Sequence, residues 1–309
     1  MTTASVGPAG LPALDTGAGT GTGTGTGAAA PAGDVPRSRT SRWYHSTTLV
    51  LGLTITGLIV AAALAAPLLT SYDPIAQDLQ SPLLSPGGAH LLGTDQLGRD
   101  VWSRLLYGAR TDLRVGFLAV LFPFVLGTFL GCLAGYFGGW VDTIVMRLVD
   151  VVVAFPFYVL IIALVFVLGP GARSIYIAIT LVGWVSYTRI IRGELLIAKR
   201  QEYVLAARSG GLSGPRVIAV HLVPNVISQA VVFAMSDIVL DILAIVTLGY
   251  LGLGIPPPTA DWGAMIAQGQ DFVTTNWQLT TIPGLAVVLT GLGLSLIGDG
   301  LADLLRKES

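Results

Sequence analysis

The chain has 309 residues, yet it holds a single cysteine, three histidines and only 11% charged residues. Cys132, inside an apolar run, leaves no second thiol for an intrachain disulfide. His45, His90 and His221 are far apart in sequence and show no metal-ligand spacing. No nucleophile stands beside a base in the sequence, and no glycine-rich loop ends in Lys and Ser/Thr, so this chain lacks that device for holding ATP. A net charge of −1 gives no pointer to nucleic acid, and none is expected as a partner. A soluble domain carries about 25% charged residues. A chain with less than half that share must place much of its surface away from water.

What is abundant is apolar: 53% of the residues, gathered in long runs. Crossing a bilayer takes about 20 apolar residues as a helix. The runs 46–72, 115–136, 151–172, 174–188, 226–253 and 279–298 predict six spans. The fourth reaches full length only if Arg189 or Arg192 snorkels to the interface. Residues 1–45 are different. The stretch "TGAGTGTGTGTGAAAPAG" is low in complexity and predicts a disordered tail, and no basic segment precedes a short apolar core as in a cleavable signal.

Six spans put both termini on one side. With that side cytoplasmic, twelve of the 17 cations lie inside and five lie outside (Arg99, Arg104, Arg110, Arg114 and Arg173), as the positive-inside rule prefers. This makes 73–112 an external loop with an amphipathic segment, in which Asp95, Asp100 and Asp112 are interleaved with the arginines, so that much of that charge can be paired internally. A core of five spans then covers 113–305. In "IPPPTADWG" three prolines predict a stiff, extended outer loop, and Trp262 suits the outer interface.

Gly127, Gly131 and Gly135 recur every four residues and line up one smooth helix face for close packing. Asp237 and Asp241 share one face of the fifth span. An acid at that depth costs roughly 2.5 kcal/mol or more, so it must face protein or water. A pathway lining, a cation on a neighbouring subunit and a shifted span that leaves one acid interfacial all satisfy this.

The loop 199–224 is polar, helical in pattern and cytoplasmic in this topology. "KRQEYVLAARS" favours a helix over 199–209. Gly210 and Gly211 stop it, Ser213 is an N-cap residue, and Pro215 suits a first helical turn. A second short helix runs to about Leu222, and "VPN" turns the chain back to the membrane. Ala206 and Ala207 keep the bend small enough for another protein to approach.

"AARSGG…VHLVPN" resembles the coupling loop of the inner-membrane permease subunits of ATP-driven (ABC) importers. Ala206, Ala207, Gly211 and Pro224 occupy the motif's Ala-Ala, Gly and Pro places. Leu205 stands where the general motif often has Glu; Glu202 and Tyr203 match the acid-Tyr pair of the peptide-transporter branch. "HLLGTDQLGRDVWSRLLYGAR", "GYFGGWVDTIVMRLVDVVVAFP", "LGLGIPPPTADWGAMI" and "IPGLAV…GDGLAD" are similar to the C-type subunit of dipeptide and oligopeptide permeases, over about residues 45–305.

The resemblance implies an all-α membrane protein of the type I importer permease fold, with six spans and a two-helix coupling loop. It implies a homologous B-type permease partner, two ATPase subunits or one fused ATPase, and an extracytoplasmic binding protein. It also implies a bacterial inner-membrane location and no cofactor on this chain, ATP and Mg being bound by the ATPases. Nickel, haem or another small solute remains an alternative to peptides. A channel or secondary transporter is a rival class, but no internal repeat supports it.

Overall fold

The computed structural model describes residues 41–308, with side chains over 47–304. Of the expected disordered tail, 1–45, residues 1–40 lie outside the described residues and 41–45 are helical. Helix α1 spans Ser41–Leu64 and begins five residues before the expected start of the first span; a short turn, α2, follows at Ala66–Leu69.

Helix α3 covers Val101–Phe137, a length of about 55 Å at 1.5 Å per residue. It begins well inside the expected external segment 73–112, so residues 101–112 of that segment are helical. Asp100 sets this start: its carboxylate accepts a hydrogen bond from the Ser103 amide at 2.7 Å. Gly138, with φ of 63°, ends the helix, and α4 (Gly139–Val153) follows at once.

The third span is not the straight segment 151–172. Helices α4 and α5 (Phe157–Leu168) meet at 86° across a break at 154–156. Pro156 causes the break, because the residue before a proline is pushed out of the helical region and its own extended backbone (ψ 130°) starts α5 afresh.

Helix α6 spans Ala172–Ala198, ten residues past the apolar run that predicts it. The coupling segment holds α7 (Glu202–Ser209) and α8 (Gly214–Val217). Helix α8 passes through a π turn at 218–222 directly into α9 (Val223–Tyr250). Helix α10 is Trp262–Gly269, and α11 is Gln278–Glu308.

Among the described residues, five helical segments are long and apolar enough to cross a membrane, and the bent α4–α5 pair makes a sixth if it counts as one crossing. Helix α6 lies along α3, α1 along α11, and α9 packs on both α3 and α11. One apolar core joins α3, α6, α9 and the coupling segment. A second joins α3, α5, α6 and α9, and a third fastens α1, α3, α10 and α11.

Candidate functional site

The coupling segment at 202–222, made of α7, α8 and the π turn, is an elbow that stands on a buried apolar base. Val204, Val217 and Leu222 are fully buried among Tyr187, Ile191 and Leu195 of α6. Above them the motif residues are free: Glu202, Tyr203, Leu205, Ala206, Gly211 and Pro224 are exposed, and Ala207 is half-buried against the base. Gly211 adopts φ of 81° with no atom within 4 Å of a prospective Cβ. The position therefore needs glycine for backbone conformation, not for clearance. The Arg208 guanidinium lies 4.8 Å over the Tyr136 ring, tying α7 to the end of α3.

Three local expectations are corrected here. Lys199 ends α6 instead of starting the coupling helix, and its ammonium donates to the Gly135 carbonyl at 2.9 Å. Ser213 sits at the N-cap position of α8, but its side chain makes no capping bond. "VPN" does not turn the chain. The π turn lets the Val223 amide reach back to the Ile218 carbonyl, which widens the helix where the Pro224 ring would otherwise collide. Asn225 then donates to the His221 carbonyl at 2.6 Å. Helix α8, the π turn and α9 thus form one continuous helix, to which α7 is joined through the turn at 210–213.

Gly127, Gly131 and Gly135 all face α6. A Cβ at Gly127 would meet the Trp184 carbonyl oxygen and the Tyr187 Cβ; at Gly131 it would lie 2.8 Å from the Thr188 carbonyl oxygen, and at Gly135 3.1 Å from the Leu195 Cβ. Thr188 donates across the seam to the Gly127 carbonyl at 3.2 Å. Asp142 of α4 accepts two guanidinium hydrogen bonds from Arg192 of α6, fifty residues away in sequence. Neither partner has an opposite charge at helical spacing, and for Arg192 the sequence offers only a snorkel to the interface.

Asp237 and Asp241 are buried on the inner face of α9. Asp237 accepts a hydrogen bond from the Tyr187 hydroxyl at 2.7 Å, and Tyr187 packs edge-on against Phe233 at 5.1 Å. One carboxyl oxygen of Asp241 has no hydrogen-bond partner among the described residues. Neither acid pairs with a described cation.

The opposite end of α3 is a buried polar knot. Asp95 receives Arg99 at 2.7 Å and Arg104 at 3.5 Å, and Arg99 also donates to Gln268 at 2.8 Å. Asp112 accepts from the Trp262 amide at 2.9 Å, and the indole N–H donates to the Leu105 carbonyl at 3.1 Å. Trp262 is therefore not an interfacial anchor. It is 1% exposed, seated where Gly108 leaves room. Asp261 caps α10 by accepting from the Ala264 amide at 3.0 Å. Burial raises its carboxyl pKa above the usual 3.8, against the lowering effect of the Ala264 and Gly263 amides and of Arg104.

Helices α6 and α9 part to leave an open cleft of about 620 Å³. Arg189 and Glu194 line one wall and Gln229, Phe233 and Ser236 the other. Arg189, offered with Arg192 as a residue that snorkels, lines this cleft.

Long apolar helices, a glycine-packed seam and a two-helix elbow that runs through α8 into a span describe a helical protein of several membrane spans. The fold is similar to that of a crystal structure of an amino acid ABC transporter with histidines, with a TM-score of 0.51 at 15% identity, covering 66% of this chain and 94% of that one. Residues 127–308 match the family model described as "Binding-protein-dependent transport system inner membrane component". The chain belongs to this family, as a permease subunit of an ABC importer.

Its relatives include the probable D,D-dipeptide transport system permease protein of Escherichia coli, 39% identical, with 85% of this chain and 89% of that one covered. The dipeptide transport system permease protein of Alkalihalophilus pseudofirmus is 37% identical, with coverages of 84% and 85%. The di/tripeptide transport system permease protein of Pseudomonas aeruginosa is 38% identical, with coverages of 85% and 89%.

Proposed function

We propose that this subunit, with a homologous B-type permease partner, forms the path by which di- or oligopeptides delivered by an extracytoplasmic binding protein enter the cell. The elbow at 202–222 docks in a cleft of an ATPase that binds ATP and Mg, supplied as two subunits or one fused chain. Both termini and the elbow are cytoplasmic, as the distribution of the cations favours.

The observation that carries the coupling role is the division of the elbow into a fully buried base (Val204, Val217, Leu222) and an exposed face bearing Glu202, Tyr203, Ala206 and Gly211. A rigid base under a free, small-residue face transmits force; a mobile loop does not. Pro224 marks the join to α9 and sits just after the π turn. The peptide assignment rests on relatives named for dipeptides or di- and tripeptides at 37–39% identity over more than four-fifths of this chain.

The structure favours Ala206 over Ala207 as the probe, since Ala207 also packs on the base. Ala206→Asp adds a charge that docking would have to desolvate without a partner. A strain lacking the gene, complemented with wild type or Ala206→Asp, is assayed for uptake of labelled dialanine, trialanine and nickel. Wild type should restore peptide uptake only. The variant should restore none, with normal permease abundance and reduced retention of the ATPase. Nickel uptake in place of peptide uptake refutes the substrate, and normal uptake by the variant refutes the coupling role.

A further inference from the structure

Charges on the face of a membrane helix demand an account, because an ion turned toward hydrocarbon is costly even at a helix end. In α6 the account is complete for Arg192, which binds Asp142, and for Lys199, which binds the Gly135 carbonyl. Arg189 and Glu194 differ: among the described residues neither has an ion pair or a hydrogen bond, and both line the cleft toward α9.

On the facing wall, the Gln229 amide and Ser236 hydroxyl are likewise uncommitted, beside the apolar ring of Phe233. One cation, one anion, a few neutral hydrogen-bonding groups and an apolar wall match the chemistry of a short peptide with free termini. Glu194 follows Arg189 by five residues, about 7.5 Å along the axis and about 140° around it, so the two charges reach the cleft from different sides of α6. The cleft, about 620 Å³, falls in the range of small-molecule sites, roughly 300–1,000 Å³.

We infer that the α6–α9 cleft receives a short zwitterionic peptide in transit, its carboxylate at Arg189 and its ammonium at Glu194. This inference rests on the proposed peptide importer and adds to it where the permease itself recognises the solute. Phe233 also backs onto Tyr187, which donates to Asp237, so an occupant of the cleft presses on the packing around that buried acid.

The test uses the whole complex in lipid vesicles, supplied with saturating binding protein and labelled dialanine, dialanine amide or N-acetyl-dialanine. Arg189→Gln should lower dialanine uptake about tenfold, the loss expected for one charge-assisted contact, and erase the preference for dialanine over its amide. Arg189→Lys, which keeps the charge, should retain most of the uptake. Glu194→Gln should erase the preference for dialanine over the N-acetyl peptide and leave the preference over the amide intact.

Equal losses for free and blocked peptides mark a structural role and overturn the inference. So does wild-type dialanine uptake in both Gln variants, which leaves the peptide importer standing. Release of the partner permease, with normal uptake per assembled complex, assigns the cleft to that subunit and also overturns the inference. Failure of the wild type to import any peptide removes the importer reading and the inference together.

Discussion

The two ends of α3 solve opposite problems. At its start, Arg99, Arg104, Asp95 and Asp112 are buried, and nearly every one is tied to a residue of another segment. At its end, the elbow keeps its ties underneath, through Tyr136, Val204 and Leu222, and leaves its polar and small residues uncovered. A buried ion is tolerated only when its partner is present, so the knot is an all-or-none fastening. An exposed residue contributes little to the fold, so the elbow is free to serve a second protein.

The contrast can be broken most sharply at Asp95. Asp95→Ala leaves two buried guanidinium groups without their carboxylate, a loss of about 3–5 kcal/mol for a broken buried pair. Folded permease in membranes should fall severely and the detergent-solubilised protein should unfold at lower temperature, whereas Ala206→Asp should leave both readings unchanged. Comparable abundance of the two variants would erase the distinction between the ends.

A smaller effect is expected at Gly211. Its φ of 81° disfavours any Cβ by about 1 kcal/mol, but nothing crowds the site. Gly211→Ala should speed backbone hydrogen exchange over 202–212 and leave exchange around Trp262 untouched. Acceleration at both ends would mean that the elbow is part of the global fold.

The smallest effect concerns pH. Because burial raises the Asp261 pKa, the unfolded carboxyl ionises first as pH rises through about 3.8, and its contribution to stability declines until the folded group ionises too. Asn still caps a helix and cannot ionise. The stability of Asp261→Asn relative to wild type should therefore be greater at pH 7 than at pH 4, measured by thermal unfolding. A difference that does not change with pH would show that Arg104 offsets the burial of Asp261.

Much of this architecture was legible residue by residue. Five of the six apolar runs fall in long helices because hydrophobicity belongs to each residue and needs no partner. The i, i+4 glycines were legible for a similar reason: helical geometry places Gly127, Gly131 and Gly135 on one face wherever the helix packs. Gly210 and Gly211 marked the end of α7 through backbone preference alone. The break at Pro156 had a local signal too, but the apolar run hid it.

Partnership was not legible in this way. That Arg192 binds Asp142 while Arg189 lines a cleft depends on which helices lie side by side and at what rotation, and nothing within a few residues of either arginine encodes that. Trp262 has the composition of an interfacial anchor, yet space at Gly108 and an acceptor at Asp112 bury it. The same holds for Pro224, whose effect was set by the π turn that absorbs it. Hydrophobicity and backbone preference are properties of one residue and its neighbours, whereas an ion pair, a seat for a ring or a cleft exists only between segments that folding brings together.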